Sequence, residues 1–327
     1  MHRRLVACLA FTALASLAFA GLVWLAPARA QERPVHIIFP FAAGGSGDAT
    51  ARLIADKIRL DLNSPVIVEN VTGGAGRVGV MAVKKSTPDG TTLLLTPIAP
   101  VAVYQHSYKS LDYDPINDFQ PLTQLATFDF AIAIGTTVPA TSLKEFVAWG
   151  KAHAGEANYG IPAAGTLPHF LGAMFARAAH VDLRPVPYRG SAAALKDLAG
   201  GQIPIVITTT SDLTEMHKSG RVRVVATSGK ARSPFLPEVP TLREAGYDLA
   251  ASGWYGMFAP AKTPPEVVER LNRAIVAAVR SPDVKERLLK FGLQPTGTSA
   301  AELAKIQRDD SEFWAAAVKA SGFSAEQ

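Results

Sequence analysis

The feature that most constrains the fold is an alternation of strand-like and helix-like segments that begins near residue 35. Short apolar runs with β-branched residues lie at 35–41, 65–70 and 91–96, and segments with helical spacing of apolar residues lie between them at 48–62 and 76–86. Strands that are almost continuously apolar are typical of a sheet covered on both faces. This β-α-β-α-β order therefore predicts an α/β fold built on a parallel sheet.

The same alternation continues to the C-terminal end. Further strands are predicted at 128–135, 157–162, 184–188, 203–209, 221–228 and 253–260. Further helices are predicted at 142–153, 169–180, 191–201, 264–281 and 300–321. Since strands of one kind occur on both sides of the middle of the chain, a two-lobed α/β protein would explain the pattern.

The first thirty residues differ from the rest in composition. A basic start, a long apolar run and the sequence Ala28-Arg29-Ala30 predict a secretory signal peptide over residues 1–30, cleaved after Ala30. The apolar run, residues 5–26, is also long enough to cross a bilayer. An uncleaved membrane anchor is therefore the alternative interpretation of this segment.

Charge and cysteine content exclude several kinds of partner and site. Three of the 33 Lys and Arg residues, and none of the 28 acidic residues, lie in the first thirty residues, so the remainder carries 30 basic and 28 acidic side chains. No basic run remains there, and we therefore expect no nucleic-acid partner. The only cysteine, Cys8, lies in the predicted signal peptide. The exported chain is thus expected to hold neither a disulfide nor a thiolate metal site.

Three loops that connect a strand to a helix are rich in small residues. The first, "FPFAAGGSGDATAR", covers residues 39–52, and loops of the same form occur at 159–170 and 187–197. Such a loop exposes backbone N–H groups at the positive end of the helix dipole, which attracts anions. Asp48 and Ser191 can also be interpreted simply as helix N-caps, an interpretation that does not exclude a ligand at the same N–H groups.

A fourth glycine-rich stretch, "GAGRVG" at 74–79, matches the dinucleotide-binding pattern G-x-G-x-x-G. The stretch follows the second strand rather than the first, and no acidic residue ends the next strand, "TTLLLT". An acid at that position is what would bind the ribose. A dinucleotide-dependent oxidoreductase is therefore the weaker hypothesis, and a tight turn into a helix is the preferred one.

The sequence contains few patterns that are typical of catalytic or metal-binding residues. The sequence contains neither G-x-S-x-G nor H-E-x-x-H, and its histidines lack the spacing of metal ligands. His169 is the only histidine in one of the three small-residue loops, where it is more typical of a hydrogen-bonding residue at a helix start than of a catalyst. We therefore predict that the chain is not an enzyme and uses no cofactor and no metal ion.

Seven stretches, taken in order, resemble a known family. They are "FPFAAGGSGDATARLIA", "VIVENVTGGAGRVG", "YKSLDYDPINDFQPL", "YGIPAAGTLPHFLGAMF", "VPYRGSAAALKDLAGGQI", "GRVRVVATSGKARSPFLPEVPTLREAGY" and "WYGMFAPAKTPPEVVERLN". Together they resemble the Bug-type receptors of tripartite tricarboxylate transporters, the TctC family, over nearly the whole chain after the predicted signal peptide. Each motif is loose by itself, but their succession is specific.

The resemblance implies a type II periplasmic-binding-protein fold, in which two lobes joined by two crossovers close on a ligand. Lobe 1 would comprise residues 31–125 plus 251–327, and lobe 2 would comprise residues 126–250. The implied function is capture of a small carboxylated metabolite in the periplasm and its delivery to the membrane subunits of a transporter. The implied receptor is a monomer.

The resemblance, combined with the small-residue loops, also implies a set of ligand-binding residues. They are Phe41, Ala43, Gly44, Gly45, Ser46, Asp48, Thr96, Pro162, Ala164, Gly165, Thr166, His169, Gly190, Ser191 and Thr208.

The chain departs from the family pattern at two strand ends. "TPIAPVAV" is apolar after Thr96, where many members have Ser or Thr, and "IPIVITTT" ends in threonines where many members have an Asp-Asn pair. Asp48 would then be the only acid near the ligand. We therefore predict a carboxylate ligand with an apolar or neutral body and no essential ammonium group, because an unpaired ammonium in a closed cleft would be unfavourable.

Two alternatives to a transport receptor stay open from the sequence. A sensor that reports ligand binding to a membrane signalling partner would share every sequence feature. An exported enzyme is the other alternative, and it would have to turn over the ligand that it binds.

Overall fold

The computed structural model describes residues 33–321 and 323–325. The predicted signal peptide, residues 1–30, and its cleavage site lie outside these residues. None of the helices in the described ranges is both long enough and apolar enough to cross a bilayer.

Strands and helices alternate along the described chain, as the sequence predicts. The strands are β1 (Val35–Phe39), β2 (Val66–Asn70), β3 (Thr92–Pro97), β4 (Phe119–Gly135), β5 (Asn158–Ile161), β6 (Arg184–Pro187), β7 (Ile205–Thr209), β8 (Val222–Thr227), β9 (Ser252–Pro260) and β10 (Gln294–Pro295). The helices are α1 (Ser46–Asp61), α2 (Arg77–Lys84), α3 (Tyr104–Ser107), α4 (Leu143–Ala152), α5 (Leu167–Ala179), α6 (Ser191–Ala199), α7 (Thr210–Lys218), α8 (Pro265–Arg280), α9 (Pro282–Lys290) and α10 (Ala300–Ser321).

The sheet has the strand order β2-β1-β3-β9-β4-β7-β5-β6, and β8 and β10 pair with β4 outside this path. The neighbours β2, β1 and β3 are parallel, which confirms the prediction from the β-α-β-α-β order. β7, β5 and β6 are also mutually parallel. The antiparallel pairs all involve β4 or β9, which run against their neighbours.

The long strand β4 belongs to two groups of strands. Its residues 119–129 pair with β9, and its residues 130–135 pair with β7 and β8. We call β2, β1, β3 and β9 with residues 119–129 of β4 the first half-sheet. We call residues 130–135 of β4 with β7, β5, β6 and β8 the second half-sheet. A single continuous strand therefore connects the two half-sheets.

Apolar side chains of the strands and helices form the interior. Ile37 of β1, Leu94 of β3 and Phe258 of β9 are fully buried in the first half-sheet, and Ile132 of β4 and Ile207 of β7 are buried in the second. α8 buries one face through residues at helical spacing, such as Leu271 and Ile275. Burial of these side chains is the main force that holds the helices against the sheet.

Candidate ligand-binding site

Four helices begin directly after the carboxyl ends of strands. α1 follows β1 of the first half-sheet, and α5, α6 and α7 follow β5, β6 and β7 of the second. Since β7, β5 and β6 are parallel neighbours, the helices that follow them start at one edge of the sheet. In α/β proteins, ligands bind in the crevice outside the carboxyl ends of such strands.

The starts of all four helices contribute to one cavity of about 590 Å³, part of which is open to solvent. The lining residues come from both half-sheets and from the loops that follow their strands. They are Phe39, Phe41, Ala42, Gly45, Gly47, Pro97, Ile98, Ala99, Phe128, Phe130, Pro162, Thr166, Leu167, Pro168, Gly190, Ser191, Thr208, Thr209, Asp212 and Tyr255. We refer to this cavity as the pocket.

Helix N-termini at the pocket carry no side-chain cap from their own N-cap residues. The N-cap residues of α1, α5, α6 and α7 are Gly45, Thr166, Gly190 and Thr209, and none of these four described residues donates or accepts such a bond. Backbone N–H groups in the first turn of a helix have no partner within the helix. The positive ends of four helix dipoles therefore face a common space, which favours an anion.

The structure places seven of the predicted site residues on the wall of the pocket. They are Phe41, Gly45, Pro162, Thr166, Gly190, Ser191 and Thr208. They come from all three of the small-residue loops and from the end of β7. The structure thus brings these loops together, as the sequence interpretation requires.

Eight predicted site residues lie beside the pocket rather than on its wall. They are Ala43, Gly44, Ser46, Asp48, Thr96, Ala164, Gly165 and His169. Ala43 and Gly44 are exposed, while Thr96 is fully buried and donates its hydroxyl to the carbonyl of Pro97 at 3.0 Å. Ala164 accepts a hydrogen bond from the Tyr108 hydroxyl at 3.3 Å.

Asp48 lies on the side of α1 that faces Asn70 and that also carries Arg52. Its carboxylate accepts hydrogen bonds from the Gly44 N–H at 3.1 Å, the Asn70 amide at 3.0 Å and the Arg52 guanidinium at 3.2 Å. Burial opposes ionisation of Asp48, but these hydrogen bonds outweigh it and lower the pKa of the carboxyl. Asp48 therefore stabilises the loop before α1 from the third position of the helix. The interpretation of Asp48 and Ser191 as N-caps is wrong, because the N-cap residues of α1 and α6 are Gly45 and Gly190.

His169 is a buried structural residue in the first turn of α5. Its Nδ1 accepts a hydrogen bond from the Gly165 N–H at 3.1 Å, and its ring contacts Phe170 and Phe323. Burial lowers the pKa of His169 to about 4. The imidazole is therefore neutral at neutral pH and fixes the backbone turn at Gly165.

An acid that the sequence interpretation overlooked, Asp212, lines the pocket from the first turn of α7. Its Oδ1 accepts a hydrogen bond from the Ser46 N–H of α1 at 2.7 Å, and its Oδ2 accepts one from the Thr208 hydroxyl at 3.2 Å. The premise that Asp48 is the only acid near the ligand is therefore wrong. Asp212, four residues after Thr208, thus supplies the acid that the end of β7 lacks.

Ser46 and its neighbours connect the two half-sheets. The Ser46 hydroxyl shares hydrogen bonds with the Tyr255 hydroxyl at 2.9 Å and with the Thr209 hydroxyl at 3.4 Å. A second connection lies at the adjacent loops, where the Ala42 N–H donates to the carbonyl of Arg189 at 3.1 Å. These contacts hold the start of α1 against the starts of α6 and α7.

The apolar wall of the pocket was missed by sequence reasoning, which looked for loops. Phe128 and Phe130 of β4 lie two residues apart, so both point to the same face of the strand. Phe39 and Tyr255 come from β1 and β9. The Phe-x-Phe spacing at 128–130 could have indicated two aromatic side chains on one face of the strand. We interpreted this segment only as a buried strand.

Charge in the pocket comes from a single side chain. Among the described residues that line it, Asp212 is the only acidic residue and none is Lys, Arg or His. The described part of the chain also contains no group of three His, Cys, Asp or Glu side chains arranged to hold a metal ion. An anion in the pocket would therefore depend on helix N-termini and hydroxyl groups for its stabilisation.

Comparison with known proteins identifies the family. The model of the tripartite tricarboxylate transporter family receptor, TctC, matches residues 50–323. The chain belongs to the TctC receptor family. The resemblance inferred from the sequence is thereby confirmed.

Relatives of this TctC-family receptor support the same conclusion. Protein BugT of Bordetella pertussis is 32% identical over 292 residues, which is 89% of this chain and 90% of BugT. The periplasmic binding protein BugD is 31% identical, with a TM-score of 0.86 over 90% of this chain and 99% of that structure. Rpa4515 of R. palustris, solved with adipate, is 28% identical, with a TM-score of 0.86 over 90% and 98% of the two chains.

These matches settle the fold and the class of this TctC-family receptor. The fold is that of the periplasmic binding proteins, as predicted. Its relatives are receptors and binding proteins, which confirms the prediction that the chain is not an enzyme.

Proposed function

We propose that this receptor captures a small carboxylate in the pocket, in the periplasm, and delivers it as a monomer to the membrane subunits of a tripartite transporter. The observation that supports the proposal is the meeting of four helix N-termini at one pocket. Helix N-termini favour carboxylates. The adipate in the structure of the relative Rpa4515 is also a carboxylate.

The contacts that a carboxylate would make are proposed at the starts of α5 and α6. The Ser46 N–H at the start of α1 is already hydrogen-bonded to Asp212, whereas Thr166 and Leu167 of α5, and Gly190 and Ser191 of α6, line the pocket. We therefore assign the carboxylate to these two helix starts. The remaining lining residues would surround the body of the ligand.

Closure around the ligand follows from the two-lobed fold. We propose that residues 31–125 with 251–327 form lobe 1 and residues 126–250 form lobe 2. This division is supported by the change of partner within β4 between Asp129 and Phe130 and by the start of β9 at Ser252. The hinge would then lie near Ala126 in β4 and near Ala251, the residue before β9.

A binding screen tests the proposed function. Acetate, benzoate, phenylacetate, malate and adipate would each be added to purified receptor, and thermal unfolding would be measured. We expect at least one of these carboxylates to raise the unfolding midpoint, since a ligand at 100 times its Kd stabilises the folded state by about 2.7 kcal/mol.

Small-angle scattering with the best binder of this panel should then show a smaller radius of gyration, because the lobes close. An unchanged radius at saturation would mean that the cleft is rigid. A screen in which no carboxylate shifts the midpoint would contradict the proposed function itself.

Export is the remaining part of the proposal. Cleavage after Ala30 would leave Gln31 as the first residue, because the sequence Ala28-Arg29-Ala30 has the small residues that a signal peptidase requires. N-terminal sequencing of the protein recovered from the periplasm should therefore begin at Gln31. An intact Met1 on membrane-bound protein would support the anchor instead.

A further inference from the structure

Five aromatic side chains contribute to the wall of the pocket around the proposed ligand body. Phe39 and Phe41 have ring centroids 5.8 Å apart at the first half-sheet, and Phe128 lies 4.6 Å from Tyr255 and 5.6 Å from Phe130 across the junction of the half-sheets. All five rings are buried in the protein and line the pocket. Aromatic rings favour contact with other rings or with apolar groups, and the four phenylalanines offer a carboxylate no hydrogen-bond donor. The Tyr255 hydroxyl is already hydrogen-bonded to the Ser46 hydroxyl at 2.9 Å.

The one charged group on the wall has the same sign as the proposed ligand. Asp212 lines the pocket, and its two carboxylate oxygens are held by the Ser46 N–H and the Thr208 hydroxyl. Since Asp212 accepts from the Ser46 N–H, this N–H group at the start of α1 is already occupied by the protein itself. A ligand carboxylate at the same place would meet a like charge.

Cations that could neutralise a second ligand charge are not on the wall. Among the described lining residues there is no Lys, Arg or His, and Arg189 lines a neighbouring cavity that shares Phe41 with the pocket. The Arg189 carbonyl is held by the Ala42 N–H. A second carboxylate in the closed pocket would therefore face either Asp212 or the phenylalanine rings, and burying an unpaired charge is unfavourable in both places.

We infer that the pocket selects a monocarboxylate with an aromatic or bulky apolar body, and that Asp212 excludes a second carboxylate. The inference rests on the proposed function, because it assumes that one carboxylate is bound at the starts of α5 and α6. Asp212 thereby acts as a specificity-determining residue. The expected ligand thereby differs from the dicarboxylate adipate in the structure of the relative Rpa4515.

The experiment compares phenylacetate, adipate and phenylalanine on the wild-type receptor and on Asp212→Asn, by isothermal titration calorimetry. Asparagine keeps an oxygen that can accept from the Ser46 N–H and removes the negative charge. On the wild type, we expect phenylacetate to bind at least tenfold more tightly than adipate and than phenylalanine. In Asp212→Asn, the ratio of adipate affinity to phenylacetate affinity should rise at least tenfold.

Asp197→Asn is the matched control, since it removes one negative charge, as Asp212→Asn does. Asp197 lies on α6, accepts a hydrogen bond from the Tyr188 hydroxyl at 2.9 Å and does not line the pocket. The ratio of adipate affinity to phenylacetate affinity in Asp197→Asn should equal that of the wild type. A circular-dichroism melt of each variant checks folding, and if Asp212→Asn fails to fold, Asp212→Ser provides the second test of the same ratio.

Other outcomes overturn the inference in distinguishable ways. Tighter binding of adipate by the wild type would contradict the selection of monocarboxylates while leaving the proposed function intact. Tighter binding of phenylalanine, lost in Asp212→Asn, would show that Asp212 is the acceptor of a ligand ammonium. If none of the three compounds nor any carboxylate of the screening panel binds, the proposed function fails as well.

Discussion

Replacing Gly45 with alanine is expected to weaken binding of the best carboxylate of the screening panel by about tenfold to a hundredfold. A Cβ atom on Gly45 would stand 2.7 Å from the Ser191 Oγ and 3.7 Å from the Asp212 Oδ1. Gly45 lies before α1 and Ser191 begins α6, so the conflict arises where the two half-sheets approach each other. Overpacking of this kind costs about 1–3 kcal/mol, and each 1.4 kcal/mol is about tenfold in affinity.

The backbone at Gly45 does not require glycine. Its φ of −89° and ψ of 172° are extended values that any residue adopts. Gly45→Ala should therefore fold without backbone strain. We expect the loss to appear mainly in binding, because separation of the proposed lobes relieves the contact with Ser191 and closure restores it. Thermal unfolding without ligand and calorimetry with ligand separate the two effects.

A double-mutant cycle identifies the cause of the loss. Ser191→Ala removes the hydroxyl oxygen that the new Cβ would meet, so Gly45→Ala should lower affinity less than threefold in the Ser191→Ala background. Equal losses in both backgrounds would contradict the steric explanation. They would indicate instead that the added methyl group occupies the space of the ligand.

Acidification is expected to destabilise the receptor by about 3 kcal/mol through His169 alone, since a shift of one pKa unit corresponds to about 1.4 kcal/mol. Burial lowers the pKa of His169 to about 4 in the folded protein, against 6.5 for an ordinary histidine. The stabilisation from the neutral imidazole is therefore complete above pH 6.5 and is lost as the pH falls from 6.5 through 4. Protonation also places a hydrogen on Nδ1, which now accepts from the Gly165 N–H.

His169→Asn is the matched variant for this prediction. The asparagine side chain offers an amide oxygen that can accept from the Gly165 N–H, and it does not titrate. Urea unfolding at pH 7, 5.5 and 4 should show a steeper loss of unfolding free energy in the wild type than in His169→Asn. Parallel pH profiles would show that His169 is protonated without cost in the folded state.

The order of the elements was predictable because strands and helices of this chain differ in apolar spacing. β1, β2 and β3 are nearly continuous apolar runs, whereas α8 repeats its apolar residues at helical spacing. The first half of β4 was missed because residues 119–127 include Pro121, two glutamines and two irregularities of register, at Pro121/Thr123 and Gln124/Ala126. Its extended form depends on pairing with β9, which is distant in sequence.

The site was only partly predictable for a similar reason. Small residues before a helix identify helix starts, and the starts of α1, α5 and α6 were found this way. α7 was missed because "TSDLTEMHK" has few apolar residues, and Asp212 was missed with it. The aromatic wall could not be assigned either. The pairing of β4 with β9 and β7 decides which strand ends face the pocket.

The position of β9 determines when the first half-sheet can form during synthesis of the chain. β9 lies between β3 and β4, with Leu94 opposite Phe258 and Phe119 opposite Pro260. The ribosome makes β3 and β4 long before β9, so the centre of the first half-sheet stays open until Pro260, the last residue of β9, has been synthesised. Pairings between residues so far apart in sequence form slowly. For a chain predicted to cross a membrane, this delay keeps the polypeptide in the unfolded form that a narrow translocation channel accepts.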